Sequence, residues 1–170
     1  MDHLICFVGP SGSGKTTIAQ ILSTDYNVIQ SYTTRPKRSE DEWGHTFADS
    51  YIADHLPKTL TYNKYNSYEY WITEDQYTDK GLSLFVVEPV GEQELRKSVK
   101  NCKVTTIFFT CPDEVAFNRM CKERGKEKAL QRLKNDKEVF VCVPCDYVVD
   151  TNRDIDSVLK SVRNIISMHL

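Results

Sequence analysis

The residues most suited to chemistry form a glycine-rich loop at positions 9–16, with the sequence G-P-S-G-S-G-K-T. The loop follows a short apolar run and precedes a segment with helical spacing, which is the context that the pattern G-x-x-x-x-G-K-[ST] requires. Glycines let the backbone fold around an anion, and the following helix N-terminus adds partial positive charge. We therefore predict that these residues bind the phosphates of a nucleoside triphosphate: Gly9, Pro10, Ser11, Gly12, Ser13, Gly14, Lys15, Thr16 and Thr17.

Two side chains of this loop have predicted roles of their own. Lys15 can reach the β- and γ-phosphate oxygens, so it is a catalytic candidate. The hydroxyl of Thr16 can coordinate a metal ion, and the expected cofactor is Mg²⁺ with ATP as phosphoryl donor. The loop alone does not define what receives the phosphoryl group.

A second cationic stretch lies at positions 31–38, with the sequence S-Y-T-T-R-P-K-R. Ser31, Arg35 and Arg38 lie at or just beyond the carboxyl end of a predicted strand, where ligands collect in open α/β sheets. Two guanidinium groups and a hydroxyl suit a dianionic phosphate, because each arginine can donate two parallel hydrogen bonds. A solvated basic turn is the alternative interpretation of the same residues.

This stretch resembles the acceptor-site pattern S-x-T-T-R-x-P-R of the guanylate kinase family. The resemblance implies that Ser31, Arg35 and Arg38 hold the phosphate of GMP. Later matches are weaker and imply an acceptor role for three further residues: His45 and Tyr70 on the phosphate, and Glu88 near the base and the metal.

The family's guanine-reading glutamate stands nine residues before the second tyrosine, and here that position is Thr61. The hydroxyl of Thr61 cannot accept hydrogen bonds from both N1–H and the 2-amino group of guanine as strongly as a carboxylate does. Glu69 is close in sequence, but alternation along a strand predicts that it points away from the face of Tyr70. Base specificity is therefore left open, while phosphate recognition is expected to be retained.

The family's lid pattern is also present in shortened form, with Arg124-Gly125 followed by Arg132-Leu133. The resemblance implies that Arg124 and Arg132 close over the triphosphate and neutralise charge that develops during transfer. Arg119 is a third catalytic candidate, one residue out of step with the family. A solvated helix face is the alternative for all three.

The pattern of elements predicts an α/β fold. Apolar runs predict strands at 4–8, 28–32, 82–87, 104–110 and 147–149, and helical spacing predicts helices at 15–23, 92–99, 113–123, 127–140 and 155–168. With the resemblance, this indicates a three-layer P-loop NTPase fold with a central parallel sheet of about five strands. We expect one kinase domain with a core at 1–34 and 81–170, an NMP-binding insert with its own small sheet at 35–80, and a short lid at about 119–134.

Composition is that of an ordinary globular domain, with 40% hydrophobic and 27% charged residues and a net charge of −2. This balance argues against broad nucleic-acid binding. No apolar run suits a signal peptide or a membrane span, so a cytoplasmic protein without membrane partners is expected, as a monomer or homodimer. Most of the six cysteines should be free thiols, although Cys142 and Cys145 form a C-x-x-C for which a redox or metal role stays open.

Together these features predict ATP-dependent phosphorylation of a nucleoside monophosphate, with GMP or dGMP as the first expectation. The absent guanine-reading glutamate leaves two enzymatic alternatives, another (deoxy)nucleoside monophosphate kinase and a ribose-1,5-bisphosphate phosphokinase. A guanylate-kinase-like module that binds phosphopeptides is the alternative without catalysis.

Overall fold

The computed structural model describes residues 1–49 and 58–170. The strands in these ranges are β1 (Asp2–Val8), β2 (Asn27–Ile29), β3 (Ser31–Thr33), β4 (His45–Phe47), β5 (Thr59–Tyr65), β6 (Tyr68–Thr73), β7 (Leu82–Val86), β8 (Cys102–Thr110) and β9 (Tyr147–Asp150). The helices in these ranges are α1 (Lys15–Leu22), α2 (Pro89–Ser98), α3 (Asp113–Arg124), α4 (Lys126–Val139) and α5 (Ile155–Ser167), and a 3₁₀ helix spans Glu74–Gln76.

The main sheet contains five parallel strands in the order β2-β7-β1-β8-β9. Its central strand β1 is apolar on both faces: Ile5 and Phe7 pack in a core with α1 and α5, whereas Leu4 and Cys6 pack in a second core with Leu95 of α2. A sheet covered on both faces needs such continuous apolar strands. The predicted three-layer α/β fold is therefore confirmed.

One predicted strand is wrong in its extent. The run 28–32 is divided at Gln30, because β2 pairs with β7 in the main sheet whereas β3 pairs with β4 and β6 in a second sheet. Gln30 lies between the two paired strands, and its carbonyl oxygen accepts a hydrogen bond from Gln76 Nε2 at 2.8 Å. The apolar pattern continues through this crossover, so the pattern alone does not reveal the change of sheet.

The second sheet has the order β4-β3-β6-β5 and is the small sheet expected in the insert. It already includes Ser31–Thr33, which precede the predicted start of the insert at residue 35. Tyr32 and Trp71 stack on one of its faces, with ring centroids 5.3 Å apart. Tyr51, which falls within the predicted insert, lies outside the described residues.

Helices α3 and α4 form a pair beside the glycine-rich loop, and their residues include those of the predicted lid. They meet at Gly125, whose φ of 82° lies in the left-handed region, and they pack through Ala116, Met120 and Ala129. Among the helices of the described ranges, none is both long and apolar enough to cross a membrane. All six cysteines lie in those ranges and have free thiols, as predicted.

Candidate active site

The glycine-rich loop joins β1 to α1 at the carboxyl end of the main sheet. Two of its glycines lie against backbone: a Cβ at Gly9 would lie 2.3 Å from the carbonyl oxygen of Phe109, and one at Gly12 would lie 2.5 Å from that of Ala116. The φ of Gly12 is also 76°, a conformation that other residues rarely adopt. The loop is thus held against β8 and α3, and only glycine fits at these two positions.

Lys15 folds over the loop at the start of α1. Its Nζ donates to the carbonyl oxygen of Gly9, to that of Pro10 at 2.9 Å and to Ser13 Oγ at 3.3 Å. Burial lowers the pKa of Lys15 to about 8, while the negative charges of Glu88 and Asp136 oppose that shift. The ammonium group therefore lies within the loop, where a phosphate chain would replace carbonyl oxygens as its partners.

The donor set of this region suits Mg²⁺ carried by a nucleotide. Thr16 is exposed on the first turn of α1, and the described residues contain no group of three or more His, Cys, Asp or Glu side chains placed to hold a metal. Mg²⁺ commonly takes one or two protein oxygens and fills its remaining positions with substrate phosphates and water. The hydroxyl of Thr16 would hold the ion, and Glu88 supplies a carboxylate near Lys15.

The lid helix α4 brings Arg132 to the loop. Its Nε donates to Ser11 Oγ at 2.8 Å, and its Nη2 lies 3.4 Å from Glu88 Oε1. Arg132 therefore contacts both Ser11 of the loop and Glu88, the acidic residue that follows β7. A guanidinium group in this place can neutralise negative charge next to the loop.

Asp136, which sequence reasoning missed, lies one helical turn beyond Arg132. Its Oδ2 accepts from the backbone amide of Ser11 at 2.7 Å, and its Oδ1 lies 3.5 Å from Arg132 Nε. The residue is 5% exposed, so its charge is buried among these partners. The i,i+4 spacing of an arginine and an aspartate on a predicted helix was the available signal.

The other two predicted lid arginines have different surroundings. Arg119 donates from Nη1 to the carbonyl oxygen of Gly12 at 3.1 Å and from Nη2 to that of Thr151 at 2.8 Å. It therefore connects the glycine-rich loop to Thr151, which follows β9. Arg124 is the last residue of α3, where its Nη2 lies 3.5 Å from Glu123 Oε2. Catalytic roles for both stay predictions.

The second cationic cluster assembles on β3, β4 and β6. Ser31 Oγ lies 2.8 Å from His45 Nδ1, and the rings of His45 and Tyr70 meet edge-on with centroids 5.9 Å apart. Arg35 is buried beside them, and its pKa is raised mainly by the hydrogen bond with Glu42, with a smaller contribution from Tyr70. Burial, followed by the charge of Arg35, lowers the pKa of His45, so the imidazole is neutral near pH 7. We call Ser31, Arg35, Arg38, His45 and Tyr70 the acceptor cluster.

Glu42 is a member of this neighbourhood that the sequence did not indicate. Its Oε1 lies 2.5 Å from Arg35 Nη2, its Oε2 lies 3.2 Å from Arg35 Nη1, and Oε2 also accepts from the Arg38 amide at 2.6 Å. Burial would raise the pKa of Glu42, but these hydrogen bonds lower it below its usual range. The carboxylate of Glu42 thus binds the guanidinium group of Arg35 in bidentate fashion.

The strand register places Thr61 on the face of the acceptor cluster. Thr61 is paired with Ile72 and Asn63 with Tyr70, so these four side chains share one face of the sheet. Glu69 is on the opposite face, as predicted, where its carboxylate accepts from the hydroxyl of Tyr62 at 2.7 Å. Thr61 therefore stands on the face of Tyr70, at the position where the family resemblance predicts a carboxylate, whereas Ile72 is 1% exposed and packs in the core with Leu4 and Leu95.

A small cavity of about 70 Å³ joins the two regions. Thr16 of the loop and His45 of the acceptor cluster both line it, and a Cβ at Gly44 would lie 3.8 Å from Thr16 Cγ2. Trp43 packs its ring against the core formed by α1 and the main sheet. Thr16 of the loop and His45 of the acceptor cluster are therefore neighbours on one cavity.

The loop, the sheet order and the lid helix define a P-loop nucleotide-binding protein with a kinase-like fold. A model of the AAA domain family matches residues 5–140, and the chain belongs to that family. Among solved structures, guanylate kinase from Anaplasma phagocytophilum is similar, with 19% sequence identity and a TM-score of 0.64 over 98% of this chain and 85% of that chain. No curated protein matches the sequence significantly. The predicted resemblance to guanylate kinase is therefore confirmed for the fold.

Proposed function

We propose that this protein transfers the γ-phosphoryl group of ATP to a nucleoside monophosphate, with GMP and dGMP as the first acceptors to test. The observation that carries the proposal is the shared cavity, which Thr16 of the glycine-rich loop and His45 of the acceptor cluster line together. Phosphoryl transfer between two bound nucleotides requires that their phosphates be held close together, and the position of Thr16 and His45 on one cavity supports that arrangement.

The chain's own residues account for most of the proposed mechanism. The loop and Lys15 hold the donor phosphates, and the acceptor cluster holds the monophosphate so that one of its oxygens faces the γ-phosphorus. Arg132, which contacts Ser11, neutralises charge that develops on the transferring group. An acceptor phosphate is already anionic near pH 7, so positioning and charge neutralisation replace a strong general base. Mg²⁺, when bound with ATP, would add charge neutralisation between the phosphates.

A second candidate acceptor class follows from Thr61 and Ile72. Because the described strands β5 and β6 place no carboxylate on the face of Tyr70, other (deoxy)nucleoside monophosphates and ribose 1,5-bisphosphate are acceptor candidates beside GMP. The acceptor cluster needs only a phosphate group on a ribose to be occupied.

The test is a panel of acceptors incubated with MgATP and read by ADP formation, comprising ribonucleoside and deoxyribonucleoside monophosphates and ribose 1,5-bisphosphate. We expect acceptor-dependent ADP formation with at least one monophosphate and its loss in Lys15→Ala. ADP formation with the sugar phosphate alone would select the second candidate. No ADP with any acceptor, together with no binding of MgATP by calorimetry, would contradict both and favour a phosphopeptide-binding module.

A further inference from the structure

Three groups from two separate elements form a closed set of contacts where the lid helix meets the glycine-rich loop. Ser11 donates its amide to Asp136 Oδ2 at 2.7 Å and accepts at Oγ from Arg132 Nε at 2.8 Å. The same Nε lies 3.5 Å from Asp136 Oδ1. Each of the three residues therefore contacts the other two, and the set joins α4 to the loop.

Asp136 is the most buried residue of this set. Asp136 is 5% exposed, whereas the side chain of Arg132 is 31% exposed. A buried carboxylate needs charged or hydrogen-bonding partners, and separating it from them is costly. The flexible arginine side chain is thereby restricted to orientations in which Nε faces Ser11 and the terminal nitrogens face Glu88, at 3.4 Å from Nη2.

We propose that Asp136 is a positioning residue that holds Arg132 against the donor loop in the geometry needed for phosphoryl transfer. This inference rests on the proposed function, since it assigns Asp136 a role in the same reaction. Asp136 acts through Arg132 and Ser11 and does not itself contact the acceptor. A displacement of about 1 Å in a charge-neutralising group can cost on the order of a hundredfold in rate.

The test is a double-mutant cycle of Asp136→Asn and Arg132→Ala, with Glu138→Gln as the control on an exposed position of the same helix. We expect Asp136→Asn to lower kcat about tenfold to a hundredfold and to leave the KM of the acceptor within about twofold. In the Arg132→Ala background the same substitution should have little further effect, because its target has been removed. If the two fold-changes in kcat simply multiply in the double mutant, the inference is overturned. A wild-type kcat in Asp136→Asn would overturn it as well.

Two additional measurements keep folding and function separate. Ser11→Ala removes only the hydroxyl contact to Arg132 and should lower kcat in the same direction, which gives a result even if Asp136→Asn does not fold. The cycle is also measured on the affinity for MgATP by calorimetry, which needs no transfer. Coupling in affinity with no transfer to any acceptor would sustain the positioning role and contradict the proposed function, whereas additivity in both measurements would overturn the positioning role.

Discussion

Glu42 and Arg35 form a two-point contact within the acceptor cluster, with Oε1 2.5 Å from Nη2 and Oε2 3.2 Å from Nη1. The same carboxylate accepts from the amide of Arg38, so it orders both arginines at once. The side chains of Arg35 and Glu42 are only 10% and 14% exposed. An oxyanion group supplied by the protein therefore neutralises part of the charge that an acceptor phosphate would meet.

We expect Glu42→Gln to destabilise the protein and a bound phosphate to restore part of the loss. Removing one partner of a buried ion pair leaves the other charge uncompensated, so the melting temperature should fall by roughly 5–10 °C. Inorganic phosphate should then raise the melting temperature of Glu42→Gln more than that of the wild type. Glu40→Gln, an exposed change in the same segment, is the control. An equal effect of phosphate on all three proteins would contradict an anion site beside Arg35.

Thr61 provides a gain-of-function prediction for base selection. Thr61 and Ile72 are cross-strand partners on the face of Tyr70, so a carboxylate at position 61 would face the acceptor base. We expect Thr61→Glu to raise kcat/KM for GMP relative to AMP about tenfold, which corresponds to about 1.4 kcal/mol. Thr61→Gln has the same length without the charge and should change the ratio less. An unchanged ratio in both variants would show that the base lies elsewhere.

His3 predicts how stability depends on pH. The residue is 7% exposed, its Nε2 lies 2.8 Å from Thr105 Oγ1, and its ring meets that of His169 with centroids 4.9 Å apart. Burial lowers the pKa of His3 below its usual 6.5, and the charges of His169 and Lys103 act in the same direction. A hydrogen bond with the His169 backbone and the charge of Asp146 oppose this shift without reversing it.

The sign follows from proton binding in the two states. Below about pH 6.5 His3 binds a proton in the unfolded chain, whereas the folded protein disfavours its protonated form. The contribution of His3 to the free energy of unfolding is therefore fully present above that pH and is lost as the pH is lowered. Melting temperatures between pH 7.5 and 5.5 should fall less steeply in His3→Gln than in the wild type. The same slope in both proteins would rule out a contribution from His3.

The sequence predicted the glycine-rich loop and drew attention to most residues of the acceptor cluster because both depend on local patterns, while their binding roles stay predictions. The loop needs glycines at fixed positions, and Gly9 and Gly12 do lie where a Cβ would meet backbone. Ser31 and Arg35 lie in one short segment, so a single motif brought them to attention. The alternation of side chains along β6 likewise placed Glu69 on the face opposite Tyr70.

The contacts that could not be predicted join distant or ambiguous parts of the chain. Ser11 and Asp136 are 125 residues apart, and an aspartate on a charged helix has the same local pattern whether it is solvated or buried. Glu42 stands in an acidic run, Glu40-Asp41-Glu42, in which spacing does not single out the buried carboxylate. The crossover at Gln30 was missed because strand propensity persists on both sides of it.

The most direct test of the account is the steady-state kinetics of Arg38→Ala. The Arg38 side chain is 64% exposed, so its removal should leave the fold intact and act on acceptor binding alone. We predict that the KM of the monophosphate rises at least about tenfold while the KM of ATP stays within about twofold. An unchanged KM for every acceptor, or an equal rise in both KM values, would contradict an acceptor phosphate site at Arg35 and Arg38.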